Sequence, residues 1–371
     1  MSAKLFSPMQ LRELHLDNRL VVAPMCQYSA DDGSANDWHM MHLGTLANSG
    51  AGLLILEATH IEREGRITHG CLGLYSDANE AALKKVVEAC RKRGSAKLGI
   101  QLSHAGRKSS AKRPWEGAQM NEPELATPWQ TKSPSAIPFG DGWHVPQAFT
   151  AAEIEALPAM YAEATTRAER LGFDLVEAHG AHGYLLHQFL SPHCNKRTDQ
   201  WGGSLDNRMR LPLDVFKAMR AVWPAHKPLG IRISAVDWVD GGWSIEDSVV
   251  FAKRLKSLGC DFIDVSTGGI DIKIAPPVAP GFQVPFATAI REKVGIPVMA
   301  VGMITEAEQA EAIVAEGRAD MVAIARGFLD DPHWGWHAAY KLGAEVKLPP
   351  QYRRAGIKAW DPARKRHAAK V

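Results

Sequence analysis

Cysteine is scarce and poorly placed for a structural role. Cys26, Cys71, Cys90, Cys194 and Cys260 are the only five in 371 residues, and none stands in a C-x-x-C pair. An odd number at irregular spacing makes a poor disulfide framework and a poor zinc or iron–sulfur site. Long apolar runs are missing too. The longest candidate, Ala51 to Leu56, stops at Glu57, far short of the roughly 18 residues a membrane span needs. The opening MSAKLFSPM lacks the apolar region of a secretory signal, so the expectation is a soluble cytoplasmic protein with no membrane partner. An excess of one charge is also absent. Forty-three Lys plus Arg face forty-one Asp plus Glu, a net of +2, which argues against a nucleic-acid partner.

What remains is ordinary globular composition, 46% hydrophobic and 23% charged, in a distinct order. Eight short apolar runs occur at Arg19–Ala23, Leu53–Ala58, Lys97–Leu102, Leu175–His179, Leu229–Ser234, Phe262–Thr267, Pro297–Val301 and Met321–Ala325. Helix-like stretches separate them at Trp38–Ala47, Ala78–Arg93, Ala151–Leu171, Arg208–Trp223, Ser244–Leu258, Val284–Val294, Thr305–Ala315 and Pro332–Lys341. Asp37 stands before the first helix, and Gly94 and Gly172 follow the second and third, which are start and stop signals. The strands are continuous rather than alternating, as expected when both faces of a parallel sheet are buried.

Eight β/α units in series predict a single α/β domain, a closed (β/α)8 TIM barrel over residues 1–371. A prior of about 150 residues per domain would give two domains, but a barrel of about 250 folds as one. An open doubly wound sheet would be expected to carry a G-x-G-x-x-G turn after an early strand, and the first strand runs into Ala23-Pro24-Met25-Cys26 instead. The irregular stretch from Ser103 to Thr150 holds Pro114, Pro123, Pro128, Pro134, Pro138 and Pro146 with Trp115, Trp129 and Trp143. Such a long excursion after strand three is expected over the barrel mouth, as a lid. The tail from about 349 to 371 is basic, and reads either as a solvated end or as an element that docks on a neighbour.

Barrel active sites are built from the C-terminal ends of the strands. Those ends supply Pro24-Met25-Cys26, Glu57-Ala58, Gln101 with His104 beyond it, His179, Arg232, Gly302 and Ala325-Arg326. The richest stretch is Glu177-Ala178-His179-Gly180-Ala181-His182-Gly183-Tyr184. Two imidazoles and a phenol in a Gly-rich loop suit polarisation of a substrate oxygen with proton delivery close by. The other readings are a hydrogen-bonded structural loop and a metal site; for metal, H-E-x-x-H is absent and no third ligand is evident. Gly302, Met303 and Arg326 stand where barrels commonly hold a phosphate. Cys26 reads by position either as a nucleophile, which would need a positioned His, or as a buried inert thiol, the commoner state. His39 and His42, on the first helix outside the barrel, read as structural.

Together these positions resemble the Old Yellow Enzyme family of FMN-dependent ene-reductases, in its thermophilic-like branch. The resemblance runs through Asn18-Arg19, Ala23-Pro24-Met25-Cys26-Gln27-Tyr28, Asn36-Asp37-Trp38-His39, Glu64-Gly65-Arg66-Ile67-Thr68 and Gln101 to Lys108. It is most specific from His179 to Arg210. It implies an FMN across the barrel mouth, with Ala23, Pro24, Met25 and Cys26 along one side. Ala58, Gln101 and Arg232 would lie at the ring edge, and Gly302, Ala325 and Arg326 at the phosphate. Cys26 would tune the flavin rather than attack substrate. His179 and His182 would donate hydrogen bonds to a carbonyl or nitro oxygen, Tyr184 would protonate the α carbon, and Tyr28 and Ile67 would line the substrate pocket.

The implied activity is NADPH-driven, ping-pong reduction of activated C=C bonds in α,β-unsaturated carbonyls, maleimides and nitro compounds, with no metal. Gln351-Tyr352-Arg353-Arg354 resembles the segment that sends an arginine, here Arg354, into the neighbouring active site of a homodimer or homotetramer. The chain departs from the family's commonest pattern at Trp201, Asp206 and Ala325, and none of these is one of the three catalytic candidates. A 2,4-dienoyl-CoA reductase type would need a cysteine run and a longer chain. A tRNA-modifying flavin barrel would need a basic surface. A barrel binding a phosphorylated metabolite without redox chemistry would lack flavin.

Overall fold

The computed structural model describes residues 3–117, 129–360 and 362–363. Pro123 and Pro128 of the excursion, and residues 361 and 364–371 of the tail, lie outside the described residues. All eight expected strands form. They are β3 (Leu20–Val22), β4 (Leu53–His60), β5 (Lys97–Ser103), β8 (Leu175–Gly180), β9 (Leu229–Ser234), β10 (Phe262–Ser266), β11 (Val298–Ala300) and β12 (Met321–Ile324). They close in chain order, β12 returning to pair in parallel with β3. Alternate side chains explain why the runs read as continuously apolar. Val22, Leu54, Val176 and Ile231 face the helical layer, while Val21, Leu53, Leu175 and Phe262 fill the barrel interior. The fold is a (β/α)8 TIM barrel.

A hairpin that the apolar pattern does not announce, β1 (Met9–Leu11) with β2 (Leu14–Leu16), precedes the barrel. Its Leu11, Leu14 and Leu16 pack into the interior cluster. Arg12 at its turn bonds to the carbonyls of Ala225 and Gly259 and to Asp261, which lie just ahead of β9 and β10. The hairpin therefore plugs the N-terminal end and leaves chemistry to the opposite one.

The helices are α1 (Asp37–Leu46), α2 (Asp77–Arg93), α3 (Ala151–Arg170), α4 (Leu185–Leu190), α5 (Leu205–Val222), α6 (Ile245–Ser257), α7 (Val284–Val294), α8 (Ala307–Ala315), α9 (Arg326–Asp330) and α10 (Trp334–Lys341). Asn36, not Asp37, caps α1: its side chain accepts from Trp38 N while His39 Nδ1 accepts from the Asn36 amide. Gly172 follows α3 at φ +81°, but Gly94 ends α2 in an extended conformation. No helix among the described residues is long and apolar enough to cross a membrane.

The excursion is not structureless. It carries 3-10 turns at Gly106–Lys108 and Pro114–Glu116, and a short parallel ladder of β6 (Lys132–Ser133) with β7 (Gln147–Ala148). It is tied both to itself and to the loops after β4 and β10. Buried Arg107 donates to the carbonyls of Ile137, Pro138 and Ile270, and the indole N–H of Trp129 donates to Glu64 O.

Candidate active site

Strand β8 delivers His179 and then breaks. His182 takes φ +59° and Gly183 φ +71°, which turns the chain sharply before α4. Only glycine fits at 183, because a Cβ there would lie 2.0 Å from Gly269 O. The turn is held from below by side chains on neighbouring strands. The His182 amide donates to Ser234 Oγ, and His182 Nε2 lies 2.7 Å from Ser266 Oγ. The Gly183 amide donates to His187 Nδ1 at 2.8 Å, and His187 Nε2 faces Asp237 at 2.8 Å in a fully buried pair. An amide can only donate, so His187 Nδ1 accepts and Nε2 carries the proton.

This scaffold brings the three sequence candidates together. The His179 ring lies 5.2 Å from His182 and 4.9 Å from Tyr184, both edge to face. Desolvation, followed by the nearby Arg232, holds both imidazoles well below their usual pKa, so both are neutral donor–acceptors. Desolvation, with Cys26 and Tyr28 next in weight, pushes the Tyr184 phenol well above its usual value and keeps it protonated. Cys26, Tyr28 and Tyr184 pack on Ile67, Cys71 and Ala105 in one small cluster. Burial also raises the Cys26 thiol, which makes it a poor nucleophile.

One group here was not singled out from sequence. Lys108 Nζ donates to His182 O at 2.8 Å and sits 4.8 Å from the Tyr184 ring centroid and 4.3 Å from that of Phe139. Desolvation and the neighbouring Arg107 bring its pKa down to about 7. The signal was its position, seven residues past Gln101 at the mouth of the third barrel strand.

Beneath the loop the barrel interior is polar. Gln101 donates to Glu177 at 2.7 Å, and Arg232 Nε lies 3.2 Å from Asp264 without the alignment of a hydrogen bond. Desolvation and the Asp264 charge push Glu177 upward. Glu177 Oε2, His179 Nδ1 and Arg232 Nε are buried with no hydrogen-bond partner in the protein. Buried polar groups are normally satisfied, so this concentration marks a place that a ligand completes. Ala23 and Ala58 are buried and Pro24, Met25 and Cys26 half-buried beside it, a largely apolar wall. At the ends of β11 and β12, Gly302 takes φ +109° and Arg326 is exposed at the start of α9. Among the described residues the amides of Gly302 and Met303 reach no acceptor. An apolar wall, a buried cation and carboxamide, and a rim with free amides and a guanidinium fit a planar heterocycle with a phosphate tail, as FMN is.

Arg354 is not brought to this site within one chain. It is exposed on the 3-10 turn Pro350–Ala355, whose Tyr352 packs on His333 and Trp336. His39 is fully buried on α1, where its Nδ1 joins the helix cap, and its Nε2 lies 3.5 Å from Glu57 of β4. Among the described residues, no group of three or more His, Cys, Asp or Glu is placed to hold a metal ion.

Fold and site together define a flavin-binding oxidoreductase barrel. Residues 4–345 match the NADH:flavin oxidoreductase / NADH oxidase family, and the chain belongs to that family, the Old Yellow Enzyme family. It is 43% identical to an NADPH dehydrogenase of Listeria monocytogenes over 355 residues, 95% of this chain and 99% of that protein. It is 41% identical to an NADPH dehydrogenase of Geobacillus thermodenitrificans, with the same shares covered. Among solved structures it resembles morphinone reductase (TM-score 0.76, 30% identity, 95% of this chain and 93% of that one). An old yellow enzyme homologue from Zymomonas mobilis gives TM-score 0.74 at 26% identity, covering 93% and 94%. The chain is an FMN-dependent oxidoreductase that takes electrons from a reduced nicotinamide dinucleotide.

Proposed function

We propose that the chain works as one FMN-binding barrel domain that uses NADPH to reduce the activated C=C bond of enones, maleimides and nitro compounds. The observation that carries this is the convergence on His179 of a second neutral imidazole and a protonated phenol. Bound FMN supplies hydride transfer from NADPH to the β carbon of the substrate. Ala23, Pro24, Met25 and Cys26 would line one side of it, Ala58, Gln101 and Arg232 its ring edge, and Gly302, Ala325 and Arg326 its phosphate.

His179 and His182 donate to the substrate's carbonyl or nitro oxygen and draw charge away from the double bond. Neutrality serves this role, because a neutral imidazole donates without being consumed as an acid. Tyr184 gives its proton to the α carbon, while Tyr28 and Ile67 wall the pocket. Arg354 enters the site of a second copy in a homodimer or homotetramer, in keeping with its separation from the mouth of its own barrel.

The test is a visible spectrum of the purified protein under anaerobic NADPH and then cyclohexenone. A flavin spectrum that bleaches and returns supports the reading; flavin that stays bleached removes enones as substrates. His179→Ala is expected to lower kcat/KM for cyclohexenone by about 10²–10³, the weight of one preorganised donor, with FMN affinity changed far less. Unaltered enone turnover would eliminate the polarising role.

A further inference from the structure

A cavity of about 310 Å³ opens beside the substrate pocket, lined among others by Arg63, Arg66, His69, Arg113 and Trp129. Its walls come from the loops after β3 and β4 and from the excursion, the segments that also carry Tyr28 and Ile67. Three guanidinium groups line it against two carboxylates, Asp31 and Asp32. Asp32 is shared: one of its oxygens lies 2.8 Å from Arg63 Nε and 3.0 Å from Arg66. Arg113 is the least satisfied of the three. Its Nε is buried with no hydrogen-bond partner, and its nearest carboxylate, Glu116, stands 3.8 Å away. An aromatic surface adjoins it. The Trp115 indole is 62% exposed, lies 5.9 Å from the Arg113 guanidinium, and meets Tyr28 edge to face at 6.1 Å.

We infer that this cavity receives the adenosine 2'-phosphate end of NADPH, an inference that rests on the proposed use of NADPH. A phosphate monoester suits clustered guanidinium donors, and arginine is the group that accommodates the 2'-phosphate in other nicotinamide sites. The exposed indole between Arg113 and Tyr28 offers a face for the adenine. This places the dinucleotide with its nicotinamide near Tyr28 and its phosphorylated ribose at Arg113. It is also a different anion site from the Gly302 and Arg326 rim at the ends of β11 and β12, where the FMN phosphate is expected.

The experiment is calorimetry of the FMN-loaded enzyme with 2',5'-ADP and with 5'-ADP, in the parent and in Arg113→Gln. The 2'-phosphate should bind at least tenfold tighter in the parent, and the advantage should vanish in Arg113→Gln. The ratio of kcat/KM for NADPH over NADH should fall tenfold or more in the same variant. Should Arg113→Gln fold poorly, Arg63→Gln, on the more exposed wall, is read the same way. Equal affinity for the two nucleotides in the parent, or a donor ratio within twofold of the parent in both variants, overturns the assignment. The nucleotide arm needs no electron acceptor, so failure of enone reduction would leave it standing.

Discussion

Tyr184→Phe is expected to slow the reaction of the NADPH-reduced enzyme with cyclohexenone by about 10²–10⁴, the usual weight of a positioned general acid, while reduction by NADPH changes less than threefold. The substitution removes only a hydroxyl. The ring keeps its place against His179 and the cluster of Ile67, Cys71 and Ala105, so the loop geometry should survive. Lys108 adds a pH signature. Its ammonium lies over the Tyr184 ring, and a cation there favours the phenolate left behind after proton transfer. With its pKa brought down to about 7 by desolvation and Arg107, Lys108 is charged below that pH and neutral above it. The enone reaction should therefore slow as pH rises through about 7, and Lys108→Met should flatten that step. Stopped-flow absorbance of the two half-reactions separates the cases. Equal losses in both half-reactions for Tyr184→Phe would reject the proton-donor role, and a pH profile indifferent to Lys108→Met would reject the coupling.

The parts of this site that sequence reveals are those fixed by local pattern. Strands buried on both faces, such as Leu53–Leu56 and Leu229–Ile233, produce continuous apolar runs, and eight of them in series determine the barrel. Its geometry then places His179, Arg232 and Arg326 at one end without further information. The hairpin β1–β2 is different. Each strand is three residues long and the turn is Arg12-Glu13, with none of the Gly or Asn that announces a tight hairpin. Its conformation is fixed by Leu11, Leu14 and Leu16 entering the barrel. Helix α4 is six residues, every one buried, and a segment buried all round has no amphipathic period to detect. Lys108 meets the carbonyl of His182 across 74 positions of sequence, a contact that no local pattern contains. Arg354 stays exposed on the tail turn, away from the mouth of its own barrel, and the second copy proposed to receive it lies outside a single chain. Asp237 was in reach, since it lies three residues beyond the end of β9, and the rule that favours strand ends extended one loop further would have flagged it.

Asp237→Ala should cause the largest loss of stability. The carboxylate accepts from His187 Nε2 at 2.8 Å, Ser191 Oγ at 2.5 Å and the Trp243 amide at 2.8 Å, in a fully buried position. Alanine would strand all three donors and leave His187 without the partner that fixes its tautomer and its hold on the Gly183 amide. Breaking a buried pair from one side costs about 3–5 kcal/mol, which for a chain of this size lowers Tm by about 4–6 °C. Burial alone would raise the Asp237 pKa, but His187, Ser191 and the Trp243 amide outweigh it and hold the group below the usual carboxylate range. A carboxyl depressed in the folded state contributes stability that is present above its unfolded pKa of about 3.9 and is lost as pH falls through the folded value. The parent should thus lose stability on acidification below about pH 4, and Asp237→Ala should lose less over the same range while being weaker at neutral pH. Because the Gly183 turn carries His182 and Tyr184, enone turnover should fall with the melting temperature. Melting curves at pH 7 and across pH 3–5 decide it: a shift under 1 °C at neutral pH would show that the loop is held by Ser234 and Ser266 without the buried pair.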